Sequence, residues 1–84
     1  MRRLGRKGIV FNPGPDAIIN ILLAGNDVVI QANQQGFYAL AKVFQEFAEG
    51  GPETGVVHCD PGMELLDESE QLVIEYYHEP EQQT

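Results

Sequence analysis

The chain has no tryptophan, a single cysteine and, after Lys42, no lysine or arginine. Each absence excludes something. One thiol, Cys59, cannot form an internal disulfide, so the chain is not a stapled extracellular scaffold, and a lone thiol fits the reducing cytoplasm. No apolar run approaches the ~20 residues that span a bilayer; the longest, residues 17–23, is broken by Asn20. The basic start, Arg2, Arg3, Arg6 and Lys7, leads into Asn12-Pro13-Gly14-Pro15 and not into the apolar core of a secretory signal. A phosphate-cradling glycine loop is also missing. Gly5-Arg6-Lys7-Gly8 has the wrong spacing, and Gly50-Gly51 follows a helical pattern where such a loop precedes one.

The shortage of basic residues is one-sided. Thirteen acidic against five basic residues leave a formal charge of -8, and eleven of the acids lie from Glu46 onward. That half of the chain repels nucleic acid and anionic lipid and attracts a basic partner. The plainer reading is that the acids keep a small domain in solution. With 84 residues and a 43% apolar fraction the chain reads as one domain, 1–84, too rich in apolar residues for a disordered tail. It divides into a basic arm and turn over 1–16, a core over 17–78 and an acidic tail over 79–84.

Gly8-Ile9-Val10-Phe11 has the composition of a short edge strand, closed by the turn Asn12-Pro13-Gly14-Pro15-Asp16. Residues 17–23 place Ile19, Ile21 and Leu23 on one face. Ala24-Gly25-Asn26-Asp27 supplies turn residues, and 28–32 reads as the returning strand of a hairpin, although 17–24 taken alone also fits a short helix. Asn33 is positioned as an N-cap. Phe37, Leu40, Ala41, Phe44, Phe47 and Ala48 follow at offsets of three and four, the spacing of a helical core stripe, and Gly50-Gly51-Pro52 ends the helix. Residues 56–59 read as a third strand and 72–77 as a fourth. Between them lies an acidic loop, 60–71, that Met63, Leu65 and Leu66 can anchor. The order is ββαββ, and the expected fold is α+β: an antiparallel four-stranded sheet with one helix packed on one face.

Few residues point to catalysis. His58 and Cys59 are neighbours on a strand and so face opposite sides, which defeats a nucleophile and base pair. His58 and Asp60 can share a side, but two ligands fall short of the three or four that zinc requires. Cys59 fits a small buried hydrophobe better than a reactive thiol. Asp67, Glu68 and Glu70 sit in a loop with nothing to desolvate them, so solvated charge is the expected state. No metal or cofactor is expected.

Gly55-Val56-Val57-His58-Cys59-Asp60-Pro61, then a loop with Leu65 and Ser69, then Leu72-Val73-Ile74, resembles the immunity protein 32 family. The hairpin ending Val28-Val29-Ile30-Gln31-Ala32-Asn33 and the helix with Phe37, Leu40-Ala41 and Phe44 are similar to it as well, so the resemblance runs over residues 17–77. It implies a small bacterial protein of a polymorphic-toxin system that neutralises a cognate toxin in the cytoplasm by direct binding, with no catalytic residues. The acidic half is compatible with a basic toxin as partner. On that reading Asp60, Glu64, Asp67, Glu68 and Glu70 form the rim of the binding surface, with His58, Tyr76 and Tyr77 nearer its centre. The alternative is an assembly module that forms a homodimer through an open sheet face or an edge strand.

Overall fold

The computed structural model describes residues 11–77. The elements run β1 (Ile19–Ala24), β2 (Asp27–Ala32), α1 (Gln34–Gly50), a 3-10 turn (Gly51–Thr54), β3 (Val56–Cys59) and β4 (Leu72–Glu75). This is the expected ββαββ order in an α+β chain. Among the described residues no helix is long and apolar enough to cross a membrane.

β1 and β2 pair antiparallel from Ile19 opposite Ala32 to Ala24 opposite Asp27, so residues 19–24 are strand and not the alternative short helix, while Ala17 and Ile18 precede the strand. Gly25 takes a positive φ of 63° while Asn26 does not, the pattern of a II′ turn whose twist suits a hairpin. At the far end, Asn33 binds the hairpin to the helix. Its Oδ1 accepts from the Gly36 amide at 2.8 Å, capping α1, and from the Ile18 amide at 2.9 Å. Its Nδ2 donates to the Asp16 carbonyl at 2.9 Å. At the other terminus of α1 the Gly51 amide bonds to the Phe47 carbonyl, and Pro52 follows in the 3-10 turn.

The expected single four-stranded sheet is not present. The strands form two antiparallel ladders, β1-β2 and β3-β4. What replaces the missing strand pairing is the segment just before β4. The Leu66 amide donates to the Ile19 carbonyl at 3.0 Å and the Glu70 amide to the Ile21 carbonyl at 2.7 Å. Between those bonds the Ile21 amide donates to the Ser69 hydroxyl at 2.8 Å. The segment turns too tightly to be a strand, since the Ser69 amide donates back to the Leu66 carbonyl at 3.0 Å. A side-chain oxygen therefore stands where a strand would offer a carbonyl. β4 is also shorter than the expected 72–77, although the Tyr76 amide still reaches the Gly55 carbonyl at 3.4 Å.

One core joins both ladders to α1: Phe11, Ile19, Ile21, Leu40, Val43, Phe47, Val57, Cys59 and Leu65. Phe11 belongs to it without being in a strand; the rest of the proposed edge strand at residues 8–11 lies outside the described residues. The helical stripe requires a correction. Leu40 and Phe47 are buried as expected, but they are joined by Gly36 and Val43, while Phe37, Ala41, Phe44 and Ala48 face solvent. The reason is the close approach of α1 to β1. A Cβ at Gly36 would lie 2.5 Å from the Ile18 carbonyl oxygen and 3.0 Å from both Ala32 Cβ and Ile19 Cγ1. The helix settles on the hairpin at Gly36, and that contact leaves Phe37 and Phe44 turned out while Phe47 stays in.

Gly36→Ala therefore separates propensity from packing. In an open helix the change stabilises by roughly 0.5–1 kcal/mol. Here the overpacking term, about 1–3 kcal/mol, acts the other way. We expect a lower urea midpoint with an unchanged slope, and a rise in midpoint would show that the contact is not tight.

Candidate functional site

The acidic loop is a built structure. The Asp60 carbonyl accepts from the amides of Met63 at 3.1 Å and Leu65 at 3.2 Å, and the Gly62 amide donates to the Leu65 carbonyl at 2.9 Å. Two of the acids are used inside it. Glu64 Oε1 accepts from the Asp60 amide at 2.9 Å, and Asp60 Oδ1 accepts from the Gln71 side-chain amide at 2.7 Å. Leu65, 4% exposed, is the apolar anchor; Leu66 is half-buried, and Met63 points to solvent.

The second half of the loop is held along β1 by the bonds from Leu66, Ser69 and Glu70. Ser69 is buried, and its hydroxyl oxygen also lies 2.8 Å from the Glu70 carbonyl, to which it donates. This puts the side chains of Asp67, Glu68 and Glu70 on the surface of a backbone fixed at both ends. Residues 60–71 contain no basic residue, and Lys42 is the sole lysine or arginine in 11–77. The outcome is a concentrated negative face with its geometry set in advance.

The other predicted site residues lie elsewhere. His58 is exposed on the outer face of the β3-β4 ladder, opposite Val73. Tyr76 is half-buried against the core and Tyr77 is exposed; both line a groove of about 710 Å³ with Phe47, Ala48, Pro52 and Ile74. Asp60 follows one end of β3, whereas Tyr76 reaches Gly55 at the other end, roughly 15 Å away at the rise of a strand. The tyrosines and the acids thus occupy opposite ends of the β3-β4 ladder. Two features escaped sequence reasoning. Ser69, noted there only within the family resemblance, carries the docking of the loop, and a buried hydroxyl is not distinguishable from a solvated one by spacing alone. The groove is the second: Phe47 lines it and Phe37 and Phe44 do not, so the helix face read from periodicity does not lead to it.

Cys59 is fully buried opposite Leu72, on the reverse side of the strand from His58. Burial first, then the negative charges of Glu64 and Asp60, push its thiol up from 9.0 to about 11. It is held neutral, the poor form for a nucleophile or a metal ligand. His78, the remaining histidine, lies outside the described residues. Among the described residues no three His, Cys, Asp or Glu side chains gather as metal ligands. No family model, curated protein or solved structure matches the chain.

Two measurements test this site. Ser69→Ala strands the Ile21 amide in the interior and is expected to cost about 1–3 kcal/mol. Faster hydrogen exchange at Ile21 and Glu70 should accompany it, and unchanged exchange there would place the loop's anchor elsewhere. For Cys59 the folded state holds its proton more tightly than the unfolded state. Its contribution is complete below the ordinary thiol value of 9.0 and is lost as pH rises through about 11. Stability should fall by up to about 2–3 kcal/mol across that window, and less in Cys59→Ala. Identical pH profiles for the two proteins would show that Cys59 does not titrate differently on folding.

Proposed function

We propose that this chain is a non-catalytic binding module that neutralises a cognate bacterial toxin by direct contact in the cytoplasm, its acidic loop covering a basic surface of the toxin. The observation that carries the reading is the pinned loop. Asp67, Glu68 and Glu70 stand exposed on backbone that is hydrogen-bonded to β1 through Leu66, Ser69 and Glu70. A preset charged surface loses little conformational freedom on binding, and its field speeds encounter with an oppositely charged partner. The resemblance of residues 55–61 and 72–74 to the immunity protein 32 family supports the same reading. So does the state of Cys59, neutral and covered, which leaves no activated nucleophile beside His58.

The acids divide into two roles. Asp60 and Glu64 shape the loop, each accepting a hydrogen bond within it. Asp67, Glu68 and Glu70 meet the partner. His58, Tyr76 and Tyr77 join the contact only if the toxin extends along the β3-β4 ladder beyond the loop.

The test is stoichiometric binding to the product of the gene beside this one, followed by rate measurements across a salt series. Reversal of Asp67, Glu68 and Glu70 to Lys should slow association by roughly ten- to a hundredfold and flatten its salt dependence. An association rate untouched by the triple reversal would reject the acidic loop as the binding face.

A further inference from the structure

α1 carries two apolar stripes about 100° apart. Gly36, Leu40, Val43 and Phe47 are buried. One residue further round, Phe37, Ala41, Phe44 and Ala48 face solvent, with Phe37 51% and Phe44 47% exposed. Their spacing of four, three and four is that of a coiled-coil seam. No charge lies on it. Tyr38 and Gln45 flank it, while Lys42, Glu46 and Glu49 sit further round the helix, and depletion of charge is what marks the centre of a protein interface.

The order of residues along the seam indicates the occupant. Large and small alternate, and positions 37 and 48 share a midpoint with 41 and 44. Laid antiparallel against itself about a twofold axis between Ala41 and Phe44, the stripe places every phenylalanine opposite an alanine. Phe37 of one copy meets Ala48 of the other, and Ala41 meets Phe44. Such self-complementarity is the requirement of an isologous interface, in which the same patch serves on both sides. Ala48 also lines the groove of about 710 Å³ formed with Pro52, Ile74, Tyr76 and Tyr77. A phenylalanine arriving over Ala48 reaches the edge of that groove, and by symmetry both grooves are partly covered at once.

We propose that a second copy of this chain docks on the outer stripe of α1 in this antiparallel register. A half-exposed phenylalanine ring offers on the order of 100 Å². Two rings, Tyr38 and the groove on each copy bring the total buried area to roughly 1,000 Å², the size of a weak and reversible dimer. This interface is separate from the acidic loop, and salt distinguishes the two. Two copies each of charge -8 repel, so salt strengthens the dimer, whereas it weakens binding of a basic toxin.

Sedimentation of the full chain over a concentration series tests the proposal. The mass should climb from 9.3 kDa toward twice that value, sooner at high salt. Ala41→Phe sets ring against ring and Phe44→Ala leaves a hollow; each should weaken the dimer by about tenfold or more. The double variant A41F/F44A exchanges knob and hollow and should return to within about threefold of the original. An equimolar mixture of the two single variants should form a heterodimer. These positions are exposed, so far-UV circular dichroism of all variants should match the parent. A chain that stays monomeric to millimolar concentration overturns the proposal. So does a dimer indifferent to both single changes, such as one broken instead by Val28→Lys at the open edge of β2, and so does a natively folded double variant that fails to recover.

Discussion

β1 is occupied on both edges and on one face, and the rest of the molecule is arranged around that constraint. One edge belongs to β2. The other receives Leu66, Ser69 and Glu70, and the inner face carries the buried Ile19 and Ile21, with Ile19 against Gly36 in the first turn of α1. A buried strand with a free edge would leave amides and carbonyls without partners, each a penalty comparable to a lost hydrogen bond. The loop removes that penalty from β1 and in return is itself held in place. Asn33 does the same at the base of the hairpin, joining Asp16, Ile18 and Gly36 through one side chain. The acidic surface is thus a consequence of how β1 is completed.

How much of this was readable in the residues depends on whether the signal was local. The hairpin turn at Gly25-Asn26, the Asn33 cap, the helix end at Gly50-Gly51-Pro52 and the third strand at 56–59 rest on neighbours in sequence, and all stand as read. The sheet did not. Pairing of β1 with the segment before β4 depends on a hydroxyl 48 residues away, and nothing in an alternating pattern announces that a side chain will replace a carbonyl. The helix face failed for a different reason. Both stripes of α1 are apolar, so periodicity cannot choose between them, and the bulk of Phe37 and Phe44 favours the wrong one. Gly36 decides it, because closeness of approach rather than side-chain size determines which face turns inward.

The candidate site was legible as composition and illegible as geometry. That residues 60–71 would be acidic, with most of their charge solvated, follows from their letters. That Asp60 and Glu64 would be consumed in shaping the loop, leaving Asp67, Glu68 and Glu70 outward, follows only from the bonds they make. The opposite facing of His58 and Cys59 was fixed by strand alternation alone, and the structure adds the depth of burial that keeps the thiol neutral.

A small domain has little apolar surface to spare, which makes the two outward phenylalanines a physical problem. Among the described residues nine buried apolar side chains form the core, while Leu23, Val28 and Ile30 on the hairpin and Phe37 and Phe44 on α1 remain 41–66% uncovered. Apolar patches of this kind drive association, and what matters is whether the association closes. The edge of β2 offers an open-ended route, since the outward bonds of Ile19 and Ile21 imply that their partners Ala32 and Ile30 direct their own polar groups to solvent. The α1 stripe offers a closed one, because two copies related by a twofold axis use it up completely. The strong negative charge disfavours both routes, but unequally. It penalises every additional chain in an open array and only a single approach in a dimer, so repulsion selects the closed assembly over the extended one.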